Sequence, residues 1–205
     1  MVIKMIKNKS WLAIIGSFIF LTGIGLISYD IYSNMKVKEE EDKAIEEFYV
    51  IHEENEITEE VEIKEEEKEP ETKKKVEYIA VIKIPKINLE RGLVDRNSYL
   101  NDVKYNIEIL KESSMPDEVG GNVILASHSG TARISYFKNL HKLTIGDSIS
   151  INYKSKIYNY KVVDIYEIDK TGTAEIIRNK NKSTLTLITC KHNSNKQIVV
   201  IAEME

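Results

Sequence analysis

Apolar and polar positions follow two different rhythms along this chain. From Trp11 to Ser28, "WLAIIGSFIFLTGIGLIS", no residue carries a charge. An unbroken apolar run near the roughly 20 residues that cross ~30 Å of hydrocarbon predicts a transmembrane helix over 11–31. From residue 76 onward the rhythm is period two. In "SISINY" (148–153), Ile149, Ile151 and Tyr153 share one face and the intervening residues are polar, the mark of a half-buried strand. The same alternation, in segments rich in Ile, Val, Tyr and Thr, predicts strands at 77–84, 122–127, 156–168, 184–190 and 197–203.

Punctuation between these segments adds detail. "NYKSKIYNYKVVDIY" predicts two antiparallel strands joined by a tight turn near Lys154–Lys156. Short helices are expected at 133–141, where Ile134, Phe137 and Leu140 recur at helical spacing, and at 97–103, capped by Asn97 or Ser98. Pro85, directly after a strand, fits a strand end or an edge, and "PDEVGG" (116–121) is a turn cluster. The folded part is therefore expected to be mostly β.

Charge separates the two rhythms. Residues 39–71 hold 17 acidic residues and 3 lysines, more than half of the 33 acidic residues in the chain. Such density repels itself and buries little, so 32–75 is expected to be an acidic flexible tether, in which "FYVI" (48–51) is either a docking spot or a solvated spacer. Lys4, Lys7 and Lys9 precede the apolar run, whereas Asp30, Lys36 and Lys38 and then the acidic stretch follow it. The positive-inside rule puts 1–10 in the cytoplasm and 76–205 outside a cell membrane crossed once. A cleaved signal peptide competes, but the run exceeds the usual apolar length and no small-x-small site follows it. A buried core helix also competes, although no polar face interrupts the run.

Residues 76–205 carry 18 basic and 15 acidic side chains, too balanced and too little clustered for a nucleic-acid surface. One cysteine excludes an intramolecular disulfide framework. There is no P-loop, dinucleotide fingerprint or zinc-spaced ligand cluster, so neither a cofactor nor a metal is implied.

Two reactive side chains stand at strand ends: His128 after "NVILAS" (122–127) and Cys190 after "TLTLIT" (184–189). Delivered to the rim of one sheet, they would form a nucleophile beside a base or acid. A structural histidine and a buried core cysteine explain the same spacing equally well. The surrounding residues are more specific. "TLITC" (186–190) before a short loop and a closing strand resembles the nucleophile motif of the sortase family, and "GNVILASH" (121–128) resembles its histidine segment. "YFKNLHKLTIGDSISI" (136–151) and "VIKIPKINLE" (81–90) extend the similarity, which covers essentially all of 76–205.

This resemblance implies a closed, mostly antiparallel β barrel with short helices, tethered at the surface of a Gram-positive cell by one transmembrane helix. It implies a cysteine transpeptidase that recognises an LPXTG-like signal near the C-terminus of an exported protein. Cys190 would attack the Thr-Gly carbonyl, and an amine from a peptidoglycan precursor or a pilin would resolve the thioester. His128 would shuttle the protons, a task suited to an imidazole, whose reference pKa is ~6.5.

The family also supplies an arginine at the start of the strand after the cysteine. "CKHNSNKQIVVIAE" contains none. Aligning "IVV" with the closing strand assigns the position to Lys196, with Gln197 the neighbouring choice. Lysine keeps the charge but not the bidentate fork. Arg91, Arg96, Arg133 and Arg178 are candidates to replace it in space, Arg133 being nearest His128 in sequence. Ser127 stands where the family usually has glycine, its hydroxyl either orienting the imidazole or facing solvent. Thr189 matches the family and is a candidate for the oxyanion hole or simply a strand former. No Asp-Pro-aromatic lid precedes the barrel. Two alternatives remain beside transpeptidation: plain cysteine peptidase activity, and a sortase-like surface binding or assembly module with weak or absent catalysis.

Overall fold

A computed structural model describes residues 7–57, 76–171 and 173–205. Two compact units meet between Asp42 and Lys43. In the first, the apolar run forms part of α1 (Lys7–Ile57), and its apolar window has a mean hydropathy of 1.8 with none of it buried. One N-terminal apolar helix is thus present, consistent with a single membrane anchor. The expected tether, 32–75, is helical as far as Ile57; its remainder, with Pro70 and "KKK" (73–75), lies outside the described residues.

The second unit is an eight-stranded sheet curled into a nearly closed barrel. The strands are β1 (Ala80–Ile84), β2 (Leu89–Leu93), β3 (Glu108–Ile109), β4 (Asn122–Ala126), β5 (Ser148–Tyr153), β6 (Lys156–Asp169), β7 (Thr184–Cys190) and β8 (Lys196–Met204). Their order is β2-β1-β5-β6-β8-β7-β4-β3, antiparallel throughout except for the parallel pair β4 and β7. Inward-facing residues of alternate positions fill the interior, among them Ile82, Leu125, Ile149, Ile151, Tyr160, Leu185, Leu187 and Val200. The hairpin between β5 and β6 turns through Lys154 and Ser155, both at positive φ (49° and 59°), as a two-residue turn that matches strand twist requires.

The barrel closes without a ladder between its edge strands β2 and β3. Asn106 bridges them instead: its Oδ1 accepts from Arg91 Nε at 2.8 Å and its Nδ2 donates to the Gly92 carbonyl at 3.0 Å. Both side chains are buried, and the Arg91 guanidinium lies 4.3 Å from the centroid of the Tyr136 ring.

Val81 faces away from the interior of the barrel yet is buried, because the last part of α1 covers it. Ile45 and Phe48 pack with Tyr78, Val81 and Val94, and the Tyr49 hydroxyl donates to Glu90 Oε1 at 3.1 Å. Gly92 makes room for this layer, since a Cβ there would overlap the Tyr78 ring. Within "FYVI", Phe48 is therefore a docking residue, while Val50 and Ile51 stay exposed.

Neither expected short helix forms. Over 133–141 the backbone bonds run to the third residue back, as in Ser135 N to Ala132 O and Lys138 N to Ser135 O. A 3₁₀ turn follows at Leu140–Lys142. Phe137 N is tied to the His128 carbonyl, and Phe137 and Leu140 enter the core, so packing overrides a segment too short to nucleate an α-helix. At 97–103, turns of the same kind are held by Asn101, which bonds both the N-H and the carbonyl of Ile109.

Candidate active site

The parallel pairing of β4 and β7 builds the site. Asn122 pairs with Thr184 and so on to Ala126 with Ile188, a constant offset of 62 positions (188 − 126). His128 and Cys190 are separated by the same 62 (190 − 128), so one more step of two residues places them side by side at the ends of strands about 4.8 Å apart. Two further bonds carry the pairing past the strands: Ser127 N donates to the Ile188 carbonyl at 3.3 Å, and the Thr189 hydroxyl donates to the Ser127 carbonyl at 2.7 Å. At the other end of the pair, the Thr184 and Thr186 hydroxyls both donate to Asn122 Oδ1, at 2.9 and 3.0 Å.

Side-chain alternation then separates the two faces. Val123 and Leu125 of β4 and Leu185 and Leu187 of β7 point into the core, so Ser127 and Thr189 do too, whereas Ala126, His128, Ile188 and Cys190 share the outer face. His128 is exposed and Cys190 half-buried, a free thiol. Ser127 is buried, and its hydroxyl has no hydrogen-bond partner among the described residues. Its hydroxyl therefore does not face solvent. The Thr189 hydroxyl is occupied in tying the two strand ends together.

On the third strand, Gln197 is the direct partner of Cys190. It shares the outer face with the thiol, and Lys196, one residue earlier, falls on the opposite one. Lys196, the position assigned from "IVV", therefore stands one residue before the direct partner of Cys190, in a register set by the short loop Lys191–Asn195. Lys196 is exposed and pairs with Asp169 of β6. Of the arginines, Arg91 is committed to barrel closure, Arg96 donates to the Ser113 carbonyl at 2.6 Å, and Arg178 donates to the carbonyls of Gly120 and Lys182. Arg133 is exposed on the loop after β4.

A cavity of about 740 Å³ opens beside Cys190 at the end of the barrel. Ser129–Thr131, Phe137–Asn139 and His141 form one wall, Ile165–Glu167 of β6 another, and Thr189–His192 with Ile198 the rest. Glu167 accepts from Lys191 Nζ at 2.5 Å. That hydrogen bond, aided by the positive charges of Lys191 and Lys196 and opposed by slight desolvation, holds the Glu167 carboxyl below its usual range. Tyr166 fastens the segment between β6 and β7 beside it, its hydroxyl accepting from Ile177 N at 2.8 Å and donating to the Glu175 carbonyl at 3.0 Å.

Sequence reasoning missed Tyr166 and Glu167 because β6 contains a bulge between Val162 and Asp164. An extra residue inverts the alternation, turning Ile165 and Glu167 inward. The adjacent apolar pair Val162-Val163, which breaks period two, was its only local signal.

The family model described as the sortase domain matches residues 82–205, more than half of the chain. The chain belongs to the sortase family. Sortase A of Streptococcus agalactiae is 30% identical over 112 residues, which cover 51% of this chain and 44% of that protein, less than half its length. Among solved structures, the sortase D5 transpeptidase of Clostridium perfringens is 29% identical with a TM-score of 0.54, covering 63% of this chain and 79% of its own. A lid mutant of sortase A from Corynebacterium diphtheriae is 25% identical with a TM-score of 0.56, covering 62% and 70%. In this sortase Cys190 ends β7, His128 follows the end of the parallel β4, and Gln197 is the strand partner of the cysteine.

Proposed function

We propose that this sortase is a cysteine transpeptidase that cleaves an LPXTG-like signal of exported proteins at the Thr-Gly bond and transfers the acyl group to a cell-wall or pilin amine. The observation that supports this reading is the constant offset of 62 between β4 and β7, which equals the spacing of His128 and Cys190 beyond Ala126 and Ile188. The Cys190 thiolate attacks the threonine carbonyl carbon, a C–S bond forms, the C–N bond breaks, and the His128 imidazolium gives its proton to the leaving glycine amine. In the second half, a neutral amine attacks the thioester carbon, a C–N bond replaces the C–S bond, Cys190 leaves as thiolate, and His128 takes the proton from nitrogen.

In this reading, residues 1–10 are cytoplasmic, 11–31 anchor the chain, and the barrel lies outside the cell. Intact-mass analysis of the full chain in detergent micelles with LPXTG-like peptides tests the chemistry. A Cys190-bound acyl adduct that added amines convert to ligated peptide is the expected result. Cys190→Ala removes the adduct entirely, and His128→Ala slows both halves about 10²-fold or more. Persistent adduct in Cys190→Ala, or near-normal turnover in His128→Ala, contradicts the assignment.

A second reading, a binding or assembly module with weak catalysis, is favoured by one observation: Gln197 places no positive charge opposite Cys190. A folded protein with a reactive thiol that forms no adduct with any signal would select it.

A further inference from the structure

β4 ends at Ala126, so His128 is placed by hydrogen bonds beyond the strand ladder. Two of them come from β7, through Ser127 N to the Ile188 carbonyl and the Thr189 hydroxyl to the Ser127 carbonyl. Another comes from the opposite direction: Phe137 N donates to the His128 carbonyl at 3.1 Å. That bond closes residues 129–136 into a loop whose base is His128 itself. The loop folds tightly on itself, since a Cβ on Gly130 would stand 3.4 Å from Ser135 Oγ, and Ser135 is buried. How firmly Phe137 is held therefore decides how firmly the histidine backbone is held.

Phe137 has support on two sides. Its own ring is buried in the barrel core. Its neighbour Tyr136 meets a buried guanidinium, with Arg91 Cζ 4.3 Å from the centroid of the Tyr136 ring. Arg91 is the strand partner of Ile82, a core residue, so it points into the barrel. A cation there is destabilising unless it is partnered. Asn106 Oδ1 accepts from its Nε at 2.8 Å, and the tyrosine ring offers its negative face, a contact that strengthens when water is excluded. β2 is one edge of the sheet, and β4 lies beside the other edge strand, β3. The stack thus runs from the seam where the barrel closes to the loop that holds His128.

We propose that the stack of Arg91 on Tyr136 positions His128 for its proton transfers, both residues acting through Phe137. The assignment rests on the transpeptidase reading above. With the stack broken, the His128 carbonyl loses a fixed partner, and the imidazolium is less often aligned with the leaving nitrogen as the C–N bond breaks and that nitrogen takes the proton. The attack of the Cys190 sulfur, which β7 carries, is unaffected.

The test uses the full chain in detergent micelles and two substrates: an LPXTG-like peptide cleaved at its Thr-Gly amide, and the analogue with a thioester in place of that amide, whose thiolate leaves without a proton. Mass spectrometry reads the rate of adduct formation in a single turnover. Tyr136→Leu is expected to lower the saturating rate on the amide about tenfold, to leave the half-saturating concentration within about twofold, and to leave the thioester rate within about twofold. Tyr136→Phe, which keeps the ring face, restores the amide rate. Arg91→Met gives the same split between substrates, and combining it with Tyr136→Leu adds no further loss, because both remove one contact. A thermal midpoint for each variant separates loss of fold from loss of position. Equal losses on both substrates would make the stack a prop of the whole site and overturn the proposal, as would an unchanged amide rate in Tyr136→Leu. Failure of the natural protein to form an adduct with either substrate removes the transpeptidase reading itself, and the positioning role with it.

Discussion

At the scale of single residues, the site turns on which side chain stands opposite the thiol. Gln197 has the right position and an amide in place of a guanidinium, so it can donate a hydrogen bond but brings no charge to an oxyanion. Gln197→Arg is expected to raise kcat/KM for peptide cleavage about tenfold, while Lys196→Arg, on the other face, leaves it within twofold, as measured by hydrolysis kinetics. The reverse pattern would mean that the loop shifts register in solution. The strands leading to His128 and Cys190 were legible from sequence, because the runs 122–127 and 184–190 are rich in strand-forming residues. Gln197 was not: the choice between neighbouring residues depends on how five loop residues are accommodated, and a slip of one exchanges the faces.

At the scale of elements, the final part of α1 decides between the two readings of "FYVI" (48–51), a docking spot or a solvated spacer. Its glutamates predicted a solvated tether, yet Ile45 and Phe48 lie on one side of the helix and are buried against Tyr78, Val81 and Val94. Two apolar side chains among many acids are a weak sequence signal, and the surface they cover exists only once β1 and β2 are assembled. Tyr49 adds a pH-sensitive latch. Burial first, then the hydrogen bond to Glu90 and its charge, push the Tyr49 hydroxyl up to about 12. The proton is bound more tightly in the folded than in the unfolded chain, where tyrosine titrates near ~10. The stabilisation is therefore complete below pH ~10 and is lost as pH rises toward 12. Calorimetry at pH 9.5 and 11.5 is expected to show a larger drop in thermal midpoint for the natural protein than for Tyr49→Phe; equal drops would mean that the latch contributes nothing.

At the scale of the whole barrel, closure depends on a clasp instead of a ladder. Asn106→Ala strands Arg91 Nε and the Gly92 carbonyl in a buried setting, and buried groups left unpaired cost about 2–4 kcal/mol here. For a unit of this size the thermal midpoint is expected to fall by about 5–12 °C. A fall of less than about 2 °C would show that the edges hold without the clasp. Most of the barrel was legible: strands at 148–153 and 184–190 fall where alternation predicted them. β2 and β3 were not anticipated, because "LERGL" contains a charged pair and a glycine and β3 has two residues, too short for any period to show.

The sequence alone determined the apolar helix, the alternation that makes strands, the turn at Lys154–Ser155, and the two side chains able to carry nucleophilic chemistry. These are local properties, set by each residue's hydrophobicity and backbone preference and readable within a few positions. The tertiary structure decided the parallel register that joins His128 to Cys190, the bulge that turns Glu167 toward the cavity, the partnership of Gln197 with the thiol, and the burial of Phe48. Each depends on which strands become neighbours and at what offset, and that is settled only when distant segments bury their apolar faces together.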